Sequence, residues 1–387
     1  MSSQPVEVVF LGTGTSSSVP HIDCVTAHAI PGSSNRPPCR TCLSTIDGSA
    51  EGRKNIRRNT SVVVRMPGKE GSVSVLIDCG KNFQAAALEW FPKYALRKID
   101  AVLITHAHAD AINGLDDLRA WTLSSRIQSH IDLYVSQATY EDIKRMFPYL
   151  VSKEFASGGG DIPEFVWHVC INNTTPFEIN DTGVMVTPFL VHHGRLFLTA
   201  APVASLETAV ADMSLKDATT KVEEVTGTIP EATKASEVQE IIMPYMCFAF
   251  RIQEDIVYIS DCGAIPDEAW AALLPASGRQ LPVCILDCLH LRSHPSHFGM
   301  EQSVQAARRI GAKRTYLLGF SHEVAHDEYV RIGEVIGGGD APADPTESEL
   351  KGLGMIGEGE PIWVRPAHDG LKIQVSPDKL VKDETYG

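Results

Sequence analysis

Two sets of residues in this chain have the types and the spacing to do chemistry. In residues 101–119, AVLITHAHADAINGLDDLR, an apolar run ends in His106 and His108, two positions apart. Two histidines leaving a strand end at that spacing can aim both imidazoles at one point, and Asp110 adds a carboxylate two residues on. Neutral imidazole and carboxylate are ligands that suit zinc, manganese or iron. The second set is Cys39-Arg40-Thr41-Cys42, with Cys24 upstream. A CxxC spacing holds two thiolates on one metal, and a structural zinc wants four ligands. The spacing therefore leaves two readings open: half of a zinc site, with Cys24 as the nearest third ligand, or two free thiols in a loop.

The elements that must position these residues are legible from periodicity. Residues 101–105 read as a strand, and after Gly114 the spacing of Leu115, Leu118 and Trp121 turns helical. Other strands also end in ligand-type residues: 184–190 before His192-His193-Gly194, 256–260 before Asp261, 283–286 before Asp287 and the run His290, His294, His297, and 314–318 before Gly319-Phe320-Ser321-His322. Strand 6–11 precedes Gly12-Thr13-Gly14, which lacks the third glycine of a nucleotide loop and reads as a tight turn at the mouth of a site. Runs 61–66 and 72–78 form a hairpin, and helices are expected over 82–90, 137–147, 266–274, 301–310 and 323–332, with closing strands at 362–365 and 371–375. Residues 24–42, 158–160 and 337–360 read as loops, and 203–240, rich in Ala, Thr, Glu and Lys, as an inserted exposed segment. Strands in runs, then strands alternating with helices, describe one layered α/β domain over residues 1–387, its site assembled at one sheet edge. Cys79, Cys170, Cys247, Cys262, Cys284 and Cys288 read as small buried hydrophobes.

An apolar content of 43% and a charged content of 21% provide for an ample core. A net charge of −14 disfavours nucleic-acid binding through the bulk field and leaves Arg53, Lys54, Arg57 and Arg58 as the one basic cluster. The opening MSSQPVEVVFLG does not read as a secretory leader, and no apolar stretch approaches the roughly 20 residues that span a membrane. With nine cysteines scattered along the chain, a disulfide framework is not expected, and a cytoplasmic or nuclear setting follows.

FLGTGTSSSVP (10–20), CRTC (39–42), LIDCG (76–80), THAHADAINGLDDLR (105–119), VHHG (191–194), YISD (258–261), LDCLHLRSHPSHF (286–298) and LLGFSHE (317–323) stand in the order found in the metallo-β-lactamase superfamily. The chain resembles in particular the branch of cyclic ribose-phosphate phosphodiesterases and tRNA 3′-processing endonucleases. The resemblance implies an αββα four-layer sandwich, an active-site metal on His106, His108, His193 and Asp261, and Asp110 as the aspartate of a second metal position. It also implies a structural zinc on Cys24, Cys39, Cys42 and His322, and His297 as a proton donor or phosphate contact. Relatives often form homodimers.

Two departures bear on the metal count. The family's HxHxDH ends here in Ala111, and its closing Thr-His appears as Leu318-Gly319. Both lost imidazoles belong to the second position, so a largely mononuclear site is expected. The function that follows is a metal-dependent hydrolase, a phosphodiesterase first, in which activated water attacks phosphorus or a carbonyl, Asp110 handles the water's proton and His297 serves the leaving oxygen. The alternatives are a metal-binding scaffold without catalysis and a one-iron oxidoreductase on the same fold.

Overall fold

Alternation decides the sheets. In strand β1 (Val6–Gly12), Val8 and Phe10 point to one side and Val9 and Leu11 to the other, and all four are buried, as a strand covered on both faces requires. The computed structural model describes residues 4–30, 32, 37–157, 161–199 and 240–387. In it β1 is followed by β2 (Ser61–Gly68), β3 (Gly71–Ile77), β4 (Ala101–Leu103), β5 (Ile131–Val135) and β6 (Phe165–Val169). Then come β7 (Phe177–Glu178), β8 (Met185–Thr199), β9 (Glu240–Ile252), β10 (Ile256–Ile259), β11 (Val283–Asp287), β12 (Arg314–Leu318), β13 (Val364–Pro366), β14 (Lys372–Val375) and β15 (Val381–Asp383). One sheet runs β15-β14-β1-β2-β3-β4-β5-β6 and the other β13-β12-β11-β10-β9-β8-β7.

Three apolar layers result. Val8, Phe10, Val64 and Ile77 of the first sheet meet Phe250, Tyr258, Ile285 and Tyr316 of the second between the sheets. Val9, Leu11 and Leu76 are covered from outside by Phe83, Ala87 and Phe91 of the helix Phe83–Lys93. Val257, Ile259 and Leu286 are covered by Val304, Ala307 and Ile310 of the helix Met300–Ile310 and by Tyr329 and Ile332 of the helix His326–Ile336. This is the αββα sandwich, and each large apolar side chain taken into it contributes about 1.5–3 kcal/mol. By contacts the chain divides into residues 1–193 with 246–387, and residues 194–245, of which the structure describes 194–199 and 240–245.

Strands β3 to β6 pair in parallel, as do β10 to β13. Parallel neighbours end at the same edge, so β3 and β4 release Asp78 and His106 together, and β10, β11 and β12 release Asp261, Asp287 and Gly319 together. The carboxyl ends of parallel strands are where open α/β sheets place ligands.

Several expectations are corrected. Residues 24–42 are not all loop: a helix spans Ile22–Ala29 and another Arg40–Ser44. The first shows no apolar stripe, since Ile22 is 78% exposed, and it is fastened by the contact of Cys24 with His322. Within 337–360 a helix spans Glu347–Leu353, because Thr346 accepts from the Glu349 amide at 3.2 Å while Glu349 accepts from the Thr346 amide at 2.8 Å. The helix expected at 323 starts at His326. Cys170 is exposed rather than buried. The basic cluster is partly buried and partly paired: Arg57 is 1% exposed, Lys54 pairs with Glu51 at 3.2 Å, and Arg58 with Glu89 at 2.7 Å. Gly12 and Gly14 are required by close approach, since a Cβ would lie 2.0 Å from Asn59 O and 2.6 Å from Arg57 O respectively. The segments 158–160 and 203–239 lie outside the described residues. Among the described residues no helix is long and apolar enough to cross a membrane.

Candidate metal centre

The loop after β4 and the middle of β8 bring His106, His108 and His193 together: the strand expected to end at 190 runs on through His193 to Thr199. His108 Nδ1 lies 3.1 Å from His193 Nε2, and the ring centroids are 4.4 Å apart for His106–His108 and 4.9 Å for His106–His193. One nitrogen from each of the three falls within 4.8 Å of the others. Asp261 Oδ1 is 3.9 Å from His193 Nε2 and 4.0 Å from His297 Nε2. His106 and His193 are buried while His108 is exposed, so the group opens to solvent on the His108 side.

Hydrogen bonds fix the rings. His106 Nδ1 is 2.8 Å from Thr105 Oγ1, which donates to Asp78 Oδ2 at 2.8 Å, and this commits Nε2 to the other side of the ring. His193 Nδ1 is 3.0 Å from the Ser296 carbonyl, so its Nε2 is the nitrogen facing His108 and Asp261. His297 Nδ1 is 2.9 Å from Asp287 Oδ2, which also accepts from the amides of Cys262 at 3.0 Å and Phe298 at 3.3 Å.

The electrostatics match a cation site. Burial, helped by the other imidazoles, pushes His106 down to about 3, and burial with His193 lowers His108, so both rings are neutral and able to ligate. Burial alone would raise Asp261, but His193, His106 and His297 hold it well below the usual carboxylate range. Burial and the charge of Asp261 push Asp110 up to about 6. Burial would lower His297, but Asp287 and Asp261 carry it up to about 9.

Positions 111 and 319 add no donor. Ala111 is 2% exposed within the outer apolar layer. Gly319 has φ +83°, and a Cβ there would lie 2.5 Å from Asp287 Oδ1. The carboxylate of Asp287 occupies the room a side chain at 319 would need.

A second cluster joins distant parts of the chain. The sulfurs of Cys24, Cys39 and Cys42 lie 3.4, 3.6 and 3.4 Å from His322 Nδ1. The His21 ring stacks on His322 at 3.8 Å, and its amide donates to Cys42 Sγ at 3.3 Å. Arg57, which donates to the carbonyls of Ser321 and Val324, holds the turn that carries His322. The donor set, three sulfurs and one imidazole, fits a closed tetrahedral metal.

Three contributors have no simple signal in the sequence. Asp287 meets His297 ten residues on, Thr105 links His106 to Asp78, and the carbonyl of Ser296 orients His193. Only the strand-end position of the two aspartates marks them.

A two-sheet sandwich with imidazoles and carboxylates gathered at one edge defines a metallo-hydrolase fold whose site is suited to divalent metal. A family model described as Beta-lactamase superfamily domain matches residues 74–211 and 198–320. The chain belongs to that superfamily, whose members are mostly metal-dependent hydrolases. It is 25% identical over 328 residues to the octanoyltransferase of Porphyromonas gingivalis (strain ATCC BAA-308 / W83), a match that covers 84% of this chain and 48% of that protein. The chain thus spans about half the length of that curated relative. Among solved structures it is similar to a diphosphatase of the PhnP family, with a TM-score of 0.58, 24% identity and 98% of each chain covered. It is also similar to the metallo-β-lactamase fold protein YhfI of Bacillus subtilis, with a TM-score of 0.51, 13% identity and coverage of 96% and 99%. These two likenesses concern the fold.

Proposed function

We propose that the chain is a metal-dependent hydrolase of phosphoric diesters that works from one active-site metal, with zinc as the expected ion. One observation carries this reading: His106, His108, His193 and Asp261 converge, while Ala111 and Gly319 supply no ligand for a second ion. When bound, the metal supplies Lewis acidity, lowering the pKa of a water and polarising the attacked centre. His106, His108, His193 and Asp261 would hold it. Asp110 takes the proton of the attacking water, whose oxygen forms the new bond to phosphorus as the ester P–O bond breaks. His297, with Nδ1 tied to Asp287, delivers a proton from Nε2 to the leaving oxygen. Cys24, Cys39, Cys42 and His322 would hold a structural zinc that fastens the helices Ile22–Ala29 and Arg40–Ser44 to the turn at 321–324.

The match to a protein named octanoyltransferase favours a second reading, in which the same groups act on the carbonyl of an acyl ester or thioester. The test combines elemental analysis with turnover of bis(p-nitrophenyl) phosphate and of an acyl thioester. Wild type is expected to hold about two metals per chain, with one lost in Cys42→Ser and the other, together with diester turnover, in His106→Ala. Diester turnover that survives in His106→Ala rejects the mechanism, and turnover of the thioester alone selects the second reading.

A further inference from the structure

The turn after β3 carries a cation that the roles above leave unused. Cys79 donates its amide to Ala111 O at 2.7 Å and accepts from the Gly114 amide at 2.8 Å, which bolts the turn to the short helix Ala109–Ile112 bearing Asp110. Gly80 packs so closely that a Cβ there would lie 1.9 Å from Asp110 O. The next residue, Lys81, is exposed, and its ammonium donates to the Ser16 carbonyl in the turn after β1. Asn82 ties the same two turns together, accepting from Ser18 Oγ at 2.8 Å and from the Asn59 amide at 3.0 Å. Lys81 is therefore held beside Asp110 by two anchored turns.

The charge balance explains what a lysine does there. Asp78, Asp110 and Asp261 lie close enough to act on one another, and an anionic substrate would meet their combined field. The charge of Lys81 opposes it at Asp110. Positions 111 and 319 offer no ligand for a second ion, so Lys81 is a side-chain source of positive charge at the Asp110 end of the site.

We propose that Lys81 is a substrate-binding residue that receives a phosphoryl oxygen of the substrate, and of the product, on the Asp110 side of the site. This deepens the phosphoric-ester reading and rests on it for the substrate class. A phosphoryl group presents two or more anionic oxygens, one to the metal side and one to the ammonium. An exposed ammonium already satisfied by a carbonyl can exchange that acceptor for a phosphoryl oxygen at little reorganisation cost.

The test is titration calorimetry of metal-loaded protein with inorganic phosphate, on wild type, Lys81→Gln, Lys81→Arg and, as a distant control, Lys69→Gln. Lys69 pairs with Glu178 at 2.6 Å. Loss of one charge-assisted hydrogen bond weakens phosphate binding about tenfold in Lys81→Gln, with Lys81→Arg recovering part of it and Lys69→Gln unchanged. In diester turnover the same loss is expected in KM, with kcat little altered. Equal phosphate affinity in wild type and Lys81→Gln overturns the inference, as does a loaded wild type that binds no phosphate. Phosphate binding that depends on Lys81 in a protein that turns over no phosphoric ester leaves the inference standing and rejects the proposed function.

Discussion

Replacing Thr105 by Val removes one hydroxyl and keeps the shape of the side chain. That hydroxyl makes two bonds of 2.8 Å, one with His106 Nδ1 and one to Asp78 Oδ2. Asp78 is 1% exposed and keeps only the amide of residue 105, at 2.9 Å, as a donor from this neighbour. A net contribution of about 1 kcal/mol for each of the two bonds, plus about 1–3 kcal/mol for a buried group left unsatisfied, gives a stability loss of about 3–5 kcal/mol. Cys247 Sγ, 3.6 Å from His106 Nδ1, is a weak acceptor and moves the expectation toward the lower end. The second consequence is specific to the site: once its ring is no longer fixed, His106 should lower the affinity for the active-site metal about 10–100-fold. Urea unfolding measures the first effect, and competition with a chromogenic chelator measures the second, with the cysteine-bound metal as internal reference. If metal affinity at the histidine cluster stays within twofold of wild type while stability falls, the relay from Asp78 through Thr105 does not orient His106 and the reasoning fails.

Other perturbations probe the remaining structure. Arg57→Met removes donors to Ser321 O, Val324 O and Asn55 Oδ1, and should cost about 3 kcal/mol in urea unfolding and loosen the cysteine-bound metal. A loss under 1 kcal/mol would mean that the turn at 321–324 is held by something else. Gly319→Ala meets both the left-handed backbone and the Asp287 carboxylate and should destabilise by about 1–3 kcal/mol. For the same reason Ala111→His combined with Gly319→His should gain no further metal in elemental analysis, and a gain would disprove the account of the missing position. His326 is buried and held well below its ordinary value, first by burial and then by His368 and Arg57. The unfolded chain therefore binds more protons, and stability, full above about pH 6.5, falls as the pH drops through that value by up to about 1.4 kcal/mol per unit. Denaturation of His326→Gln across pH 5–8 should show a correspondingly shallower decline, and identical slopes would remove His326 as the cause.

The strand-end chemistry was legible in the sequence because it is local: a single residue separates His106 from His108, and parallel strands deliver neighbouring ends to one edge whatever lies between them. The three apolar layers followed from alternation within strands such as Val8-Val9-Phe10-Leu11. What escaped depends on contacts that local spacing does not encode. The pairing of Asp287 with His297 exists only once the intervening turn has folded back, and the helix at 22–29 owes its place to a histidine almost 300 positions away. The helix at 347–353 is a different case. Its Thr346-Glu347-Ser348-Glu349 start carries a capping box, and the surrounding glycines drew the reading toward loop. Position 57 reads as one more arginine in a basic run, yet its guanidinium is buried against Phe320 and Tyr329.

Strand β1 pairs on one side with β2 and on the other with β14, Val6 opposite Val375, and 280 positions separate Cys42 from His322. Both junctions close very long loops. Bringing such ends together costs entropy before any contact repays it, which places this chain among the slower-folding topologies. A metal held by the cysteines and His322 would act on that term directly: by joining distant segments it restricts the unfolded ensemble, by about 5 kcal/mol in the chain-entropy picture for a loop of this length. Chelation would then lower the folding rate as well as stability to the extent that the junction forms before the rate-limiting step, making refolding with and without metal a measure of when Cys24, Cys39 and Cys42 meet the turn after β12.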